Sequence, residues 1–362
     1  PDTSISSGSF VYSGSNYAAG LNHTLQIGDG VSTQKGAVLT NGFNCVFWTS
    51  NGMFSLGNLT IDAPDGDNRF MSTNNFGKNT ALGTMNVQNQ LTITAGSTLK
   101  KLNGNNTYYV GGNIVNNGSF LQPTASSTLY LGNFINGVAV PTSLAQTISG
   151  TGIWSNNQYS LTTNSPTGAV SSLTINNTNP AGVTLQVPNF RSVLGVTLTN
   201  GILYTSAAYP MYCGVADVTG PFFGGNFNGG SATSYIDGPC YHANKSDANI
   251  NQYRLFPTGK NGKYLPISIS STGGVELMAE AFDTNTGTVN TANASGLSAN
   301  RWKLSRVGTA GTFTGYNVRV GSNPNVTASN LLVHATSDQG VYDIVSTPAS
   351  VMTFAAGTPN TI

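Results

Sequence analysis

Acid and base are scarce in this chain. Its 362 residues carry 14 basic and 13 acidic side chains, and only two of the acids, Glu276 and Glu280, are glutamates. Histidine and cysteine number three each. A formal charge of +1 offers none of the clustered Lys and Arg that nucleic acid or anionic lipid needs, so neither partner is expected. No run of about 18 apolar residues occurs, and no membrane-spanning helix is predicted. Helical periodicity is nearly absent too. The chain opens at Pro1 without Met or a hydrophobic leader, as the mature form of an exported protein would.

What fills the chain is Gly, 44 of them, with long strings of Asn, Ser and Thr. A hydrophobic share of 38%, with 16 Phe and 15 Tyr, is well above that of a disordered chain. Gly, Pro, Asn or Asp interrupts almost every ten residues, which predicts short strands joined by tight turns. From about Gly57 to Thr205 the strands share a vocabulary: Leu59-Thr60-Ile61, Leu91-Thr92-Ile93 and Leu173-Thr174-Ile175. A second echo, Gly182-Val183-Thr184-Leu185, returns as Gly195-Val196-Thr197-Leu198. Alternation of this kind puts Leu, Ile and Val on one face and Thr on the other.

Repeated, the pattern predicts an all-β fold with an N-terminal β-solenoid or β-helix-like region over residues 1–206. Each coil of such a fold buries its apolar face only by stacking on its neighbours. Asn116-Asn117-Gly118 and Asn200-Gly201 fall where corners need positive φ. The alternative is a β-sandwich in which the same Asn-Gly pairs are hairpin turns. Residues 207–250 form a Gly- and aromatic-rich junction. Residues 251–362 hold eight candidate strands, from Tyr253–Phe256 to Val351–Ala355, spaced as in a C-terminal β-sandwich.

The string Gly111-Gly112-Asn113-Ile114-Val115-Asn116-Asn117-Gly118-Ser119-Phe120 is followed by Gln146-Thr147-Ile148-Ser149-Gly150 and Leu198-Thr199-Asn200-Gly201-Ile202-Leu203. In this order they resemble the large secreted surface proteins of Bacteroidetes-type bacteria. Ser234-Tyr235-Ile236-Asp237-Gly238-Pro239, Phe256-Pro257-Thr258-Gly259-Lys260 and Tyr264-Leu265-Pro266 are similar to the junction after such a solenoid. Arg301-Trp302-Lys303-Leu304-Ser305-Arg306 resembles the strand that comes next. The resemblance covers roughly residues 85–345 and implies export by the type IX route to the cell surface or beyond. Nothing after Val345 resembles the family's sorting domain, and the cysteine pair is unusual for it.

Sites for chemistry are few. Glu276 and Glu280 share a strand face and read as solvated charges rather than as a glycosidase pair. Cys240-Tyr241-His242 lacks a second pair of zinc ligands. Asp62, Asp65 and Asp67 crowd one turn and are the candidate calcium ligands, although Asp also favours turns for its own backbone bonds and no distal Glu completes the set. No other cofactor is expected. Cys213 and Cys240 bracket a Gly-rich loop and are read either as a disulfide or as two buried thiols. Phe222, Phe223 and Phe227 in that loop could stack on sugars or plug the junction.

These readings lead to an extracellular or cell-surface, non-enzymatic structural or adhesive protein that associates with copies of itself or with other surface proteins, as in a fibre. Phe10, Val11 and Tyr12 at one end, and Val351, Met352 and Phe354 at the other, are uncharged and β-prone. They are the candidate strands for subunit contacts by strand addition. A carbohydrate-binding module that recognises surface polysaccharide is the alternative, and a polysaccharide-degrading enzyme comes third.

Overall fold

A computed structural model describes residues 10–12, 16–18, 22–27, 45–49, 53–62, 68–71, 84–100, 107–122, 127–156, 169–214, 225–244, 253–271, 275–290, 296–307, 316–321 and 332–346. Among these residues the fold is all-β, with strands in mixed sheets and no helix, hence none long and apolar enough to cross a membrane. The chain divides into two units, Pro1–Leu194 and Gly195–Ile362.

In the first unit the chain visits three ladders in rotation. The first ladder takes Phe10–Tyr12, Cys45–Thr49, Asn68–Met71, Thr98–Lys100, Ser119–Gln122 and Ile153–Asn156, in that spatial order. The second takes Asn16–Ala18, Met53–Leu56, Thr84–Val87, Thr107–Val110, Thr128–Leu131 and Ala169–Asn176. Thr24–Ile27, Asn58–Ile61, Leu91–Ile93, Ile114–Asn116, Gln146–Ser149 and Val183–Leu185 make the third. Every neighbouring pair within these ladders is parallel.

Register then stacks like on like. Leu59, Leu91, Ile114, Ile148 and Leu185 pair one above another in the third ladder, each at most 2% exposed. Leu56, Val87, Val110, Leu131 and Ile175 do the same in the second. An aromatic pile crosses between ladders: Tyr108 meets Phe120 at 5.0 Å, Phe120 meets Trp154 at 5.1 Å and Trp154 meets Phe190 at 5.2 Å. Each ring removes a large apolar surface from water, and tilted or edge-on contacts suit the ring quadrupoles.

Polar side chains inside this unit bond from one round of the three ladders to the next. The carboxamide Nδ2 of Asn89 donates to Asn58 Oδ1 at 2.9 Å. Gln146 Nε2 donates to the carbonyls of Val110 and Gly112, and Asn177 Nδ2 donates to Gln146 Oε1 at 2.8 Å. Buried amides are tolerated there because their partners are supplied by the next round of strands. At the Asn116-Asn117-Gly118 corner a Cβ on residue 118 would stand 2.2 Å from the Ser97 carbonyl oxygen, so close stacking requires Gly.

An antiparallel hairpin, Asn133–Ile135 with Val138–Val140, falls in the chain between a strand of the second ladder and one of the third. Its turn, Asn136-Gly137, has φ of 51° and 84°, the left-handed pair that a two-residue hairpin loop requires.

In the second unit, Leu203–Tyr204, Ile236–Asp237 and Thr258–Lys260 stack in parallel, and Lys263–Tyr264 closes antiparallel on the last. Met211–Cys213 lies parallel to Cys240–Asn244, whose other edge takes Val275–Phe282 antiparallel, followed by Arg301–Val307. A second antiparallel sheet orders Arg254–Phe256, Ile267–Ser271 and Tyr316–Val320. Val341–Ser346 pairs with Leu332–His334 antiparallel and with Thr288–Val289 parallel. The strands expected at 253–256, 265–270, 275–282, 301–306, 316–320, 331–335 and 341–345 are thus strands, with ends shifted by at most two residues, while Val351–Ala355 lies outside the described residues.

Candidate functional site

The first unit offers its first rungs. Phe10–Tyr12, Asn16–Ala18 and Thr24–Ile27 each begin a ladder and each have one strand neighbour among the described residues. Phe10, Val11 and Tyr12 pair with Phe47, Trp48 and Thr49. The other strand candidates for subunit contact, Val351, Met352 and Phe354, lie outside the described residues.

Asp62 is half-buried and bonded to residues at the neighbouring rungs on both sides. Its Oδ1 accepts Thr94 Oγ1–H at 2.8 Å and its Oδ2 accepts from Gln26 Nε2 at 3.2 Å, so it ties three successive rungs of the third ladder together. Asp65 and Asp67 lie outside the described residues. Among the described residues no three Cys, His, Asp or Glu side chains converge on a metal-sized space.

The cysteine pair is corrected by register. Met211 stands opposite Cys240 and Cys213 opposite His242, which makes Cys213 and Cys240 diagonal neighbours. With strands about 4.8 Å apart and a rise of about 3.3 Å per residue, their Cα atoms lie about 8 Å from one another, beyond the span of roughly 7 Å that a disulfide accepts. Both are buried thiols. The Cys240 S–H donates to the Ala279 carbonyl at 3.7 Å, and burial pushes its pKa well up.

Of the two readings of Phe227, packed or facing a ligand, burial fits the first. The residue is 4% exposed, with its ring 5.7 Å from that of His242 and 6.4 Å from that of Phe256, and presents no face to a ligand. Phe222 and Phe223 lie outside the described residues. His242 is sealed in the same cluster. Its Nδ1 bonds the Ala243 carbonyl oxygen at 3.0 Å, while its Nε2 has no partner among the described residues.

Residues that the sequence named separately, without joining them, gather in the second unit. Asp237 ends the strand Ile236–Asp237, and Lys260 ends the parallel neighbour Thr258–Lys260. Lys260 Nζ donates to Asp237 Oδ1 at 2.7 Å, with the aspartate side chain 9% exposed and the lysine side chain 35%. Burial alone would lower the Lys260 pKa, but the hydrogen bond and charge of Asp237 outweigh it and the net shift is upward.

Glu280 projects from the strand Val275–Phe282, which packs on Thr258–Lys260. It is half-buried rather than solvated, and burial raises its pKa against the lowering pull of Lys260, Lys303 and Arg301. Tyr204 and Tyr235 stand close enough to feel the charges of both Asp237 and Lys260. The Tyr235 hydroxyl accepts the Gly262 N–H at 2.8 Å. Its ring lies over Gly259, where an added Cβ would meet it at 2.3 Å, so Gly beside Lys260 is what lets the ring cover this end of the strand.

The signal for this group was available only in pieces. Ile236-Asp237-Gly238 and Thr258-Gly259-Lys260 were each conspicuous, but nothing local to either string predicts that Ile236 pairs with Thr258. Comparison of the chain with protein-family models, with curated proteins and with solved structures returns no match.

Proposed function

We propose that this protein is a non-enzymatic structural or adhesive component of a bacterial surface, cell-attached or extracellular, that assembles with copies of itself or with other surface proteins. Its fold is read as a β-solenoid followed by a β-sandwich. The observation that carries the proposal is the set of first rungs, Phe10–Tyr12, Asn16–Ala18 and Thr24–Ile27, on ladders that are parallel throughout the first unit.

A terminal strand of a parallel ladder keeps main-chain N–H and C=O groups along its outer edge, which template another strand. A second copy meets that template through backbone bonds, and alternate side chains set its register. The near-zero net charge supports association, since little repulsion holds copies apart. The resemblance to Bacteroidetes-type surface proteins supports the location and the type IX route.

Interior polarity supports a mechanical role over a catalytic one. Asn89, Gln146 and Asn177 spend their amides on neighbouring coils and backbone. The carbohydrate-binding alternative loses Phe227, which is buried. Sedimentation of the intact chain beside a chain lacking residues 1–12 tests the proposal. The intact chain is expected to form large species that the shortened chain does not, and equal assembly by both would overturn the role given to Phe10–Tyr12.

A further inference from the structure

We infer that Lys260 and Asp237 form a covalent side-chain amide within the folded chain, with Glu280 as the proton carrier. Three features of the second unit converge on this. Donor and acceptor are already in contact at 2.7 Å. They are held on adjacent parallel strands, the geometry fixed by pairing of Ile236 with Thr258 and Asp237 with Gly259, so no loop motion separates them. A carboxyl group, Glu280, stands on a third strand packed on the lysine's own and within electrostatic reach of both Lys260 and Asp237.

Proximity of this kind converts a bimolecular condensation into a unimolecular one and removes most of its entropic barrier. An amine condenses with a carboxylic acid only when the pair is neutral. The neutral pair is reached when the proton passes from Nζ along the 2.7 Å hydrogen bond to Asp237 Oδ1.

The step balances without any oxidant or cofactor. Proton transfer within the ion pair gives Lys260 as amine and Asp237 as acid. The Nζ lone pair attacks Asp237 Cγ, forming the N–C bond. Glu280, as a carboxylic acid, donates its proton to the departing hydroxyl oxygen while its other oxygen takes a proton from the nitrogen. The C–O bond breaks, one water leaves, and Glu280 ends as it began. Such a bond would lock Ile236–Asp237 to Thr258–Lys260 against pulling, which suits a load-bearing role but does not depend on it.

Intact-mass spectrometry of the full chain under denaturing conditions tests the inference, followed by peptide mapping. The expected mass is that of the sequence less one water. The map should contain a branched peptide joining Lys260 to Asp237, with no protease cleavage after Lys260. Lys260→Arg keeps the ion pair but cannot form the amide, and its mass should show no loss. Glu280→Gln should form the crosslink far more slowly after refolding, whereas an unchanged rate would remove Glu280 from the step. A wild-type mass without the loss, or a loss traced to a cyclic imide at Asp237-Gly238 with normal cleavage after Lys260, would overturn the inference. Because no assembly is measured, this outcome is independent of whether the chain self-associates.

Discussion

Asn86 holds Phe134 as a β-strand would. Its Nδ2 donates to the Phe134 carbonyl and its Oδ1 accepts the Phe134 N–H, both at 3.1 Å. Asn86 itself is fully buried in the second ladder, with a further bond from Nδ2 to Ser55 Oγ at 2.8 Å. One side chain thus docks the inserted hairpin on the ladder, helped by the Tyr109 ring 4.8 Å from that of Phe134.

Asn86→Ala leaves the Phe134 N–H and C=O without this partner, at a cost of about 1–3 kcal/mol for each group that water cannot reach. Amide hydrogen exchange is expected to accelerate across Asn133–Val140 while the flanking rungs Thr128–Leu131 and Gln146–Ser149 keep their protection. Unchanged exchange in the hairpin would refute the anchoring role.

The stacked apolar rungs carry the stability of the first unit. Leu91 is fully buried between Leu59 and Ile114, and Leu91→Ala should destabilise by about 2–5 kcal/mol through lost burial and a residual cavity. Thr60, half-buried on the opposite face of the neighbouring strand, should change by about 0.5 kcal/mol or less on substitution with Ala. Urea titration of both variants measures the contrast, and similar losses would contradict inward stacking.

Acid should weaken the second unit through His242. Burial, reinforced by the positive charge of Arg254, lowers its pKa from 6.5 to about 3, so the ring is neutral when folded and protonates more readily when unfolded. Its contribution is present above pH 6.5 and is lost as the pH falls toward 3, at roughly 1.4 kcal/mol per pH unit. Phe227 and Phe256 pack on the ring, and Cys213 faces it from the next strand. His242→Phe should flatten that acid limb in pH-dependent melting, and an equally steep limb would sink the assignment.

Strand identity was legible in the sequence, but stacking order only partly. Leu59-Thr60-Ile61 and Leu91-Thr92-Ile93 share a ladder in matching register, as their common pattern suggests, whereas the third copy, Leu173-Thr174-Ile175, belongs to another ladder and pairs with Leu129-Tyr130-Leu131. Alternation reports which side chains point inward and says nothing about which face of a coil they line. Uneven spacing hides the period further. Leu99 pairs with Phe120, 21 residues on, but Leu129 pairs with Leu173, 44 residues on, because segments such as the hairpin Asn133–Val140 lie between successive rungs. The thirteen-residue echo of Gly182-Val183-Thr184-Leu185 is no coil period, since its two copies fall in different units.

Site chemistry was less legible because it depends on register. Asp237 and Glu280 are 43 residues apart in sequence, yet Asp237 bonds Lys260 on a neighbouring strand and Glu280 feels the charge of both. The cysteine spacing was compatible with a disulfide until pairing set Cys213 opposite His242. The Asn136-Gly137 turn between short apolar strings was the one overlooked local signal, sufficient to announce a hairpin.

Electron microscopy of the purified intact chain tests the account most directly. Self-assembly through the first rungs predicts particles joined end to end into filaments, which a version lacking residues 1–12 does not form. A uniform field of single particles from the intact chain, at concentrations where it remains folded, would contradict it.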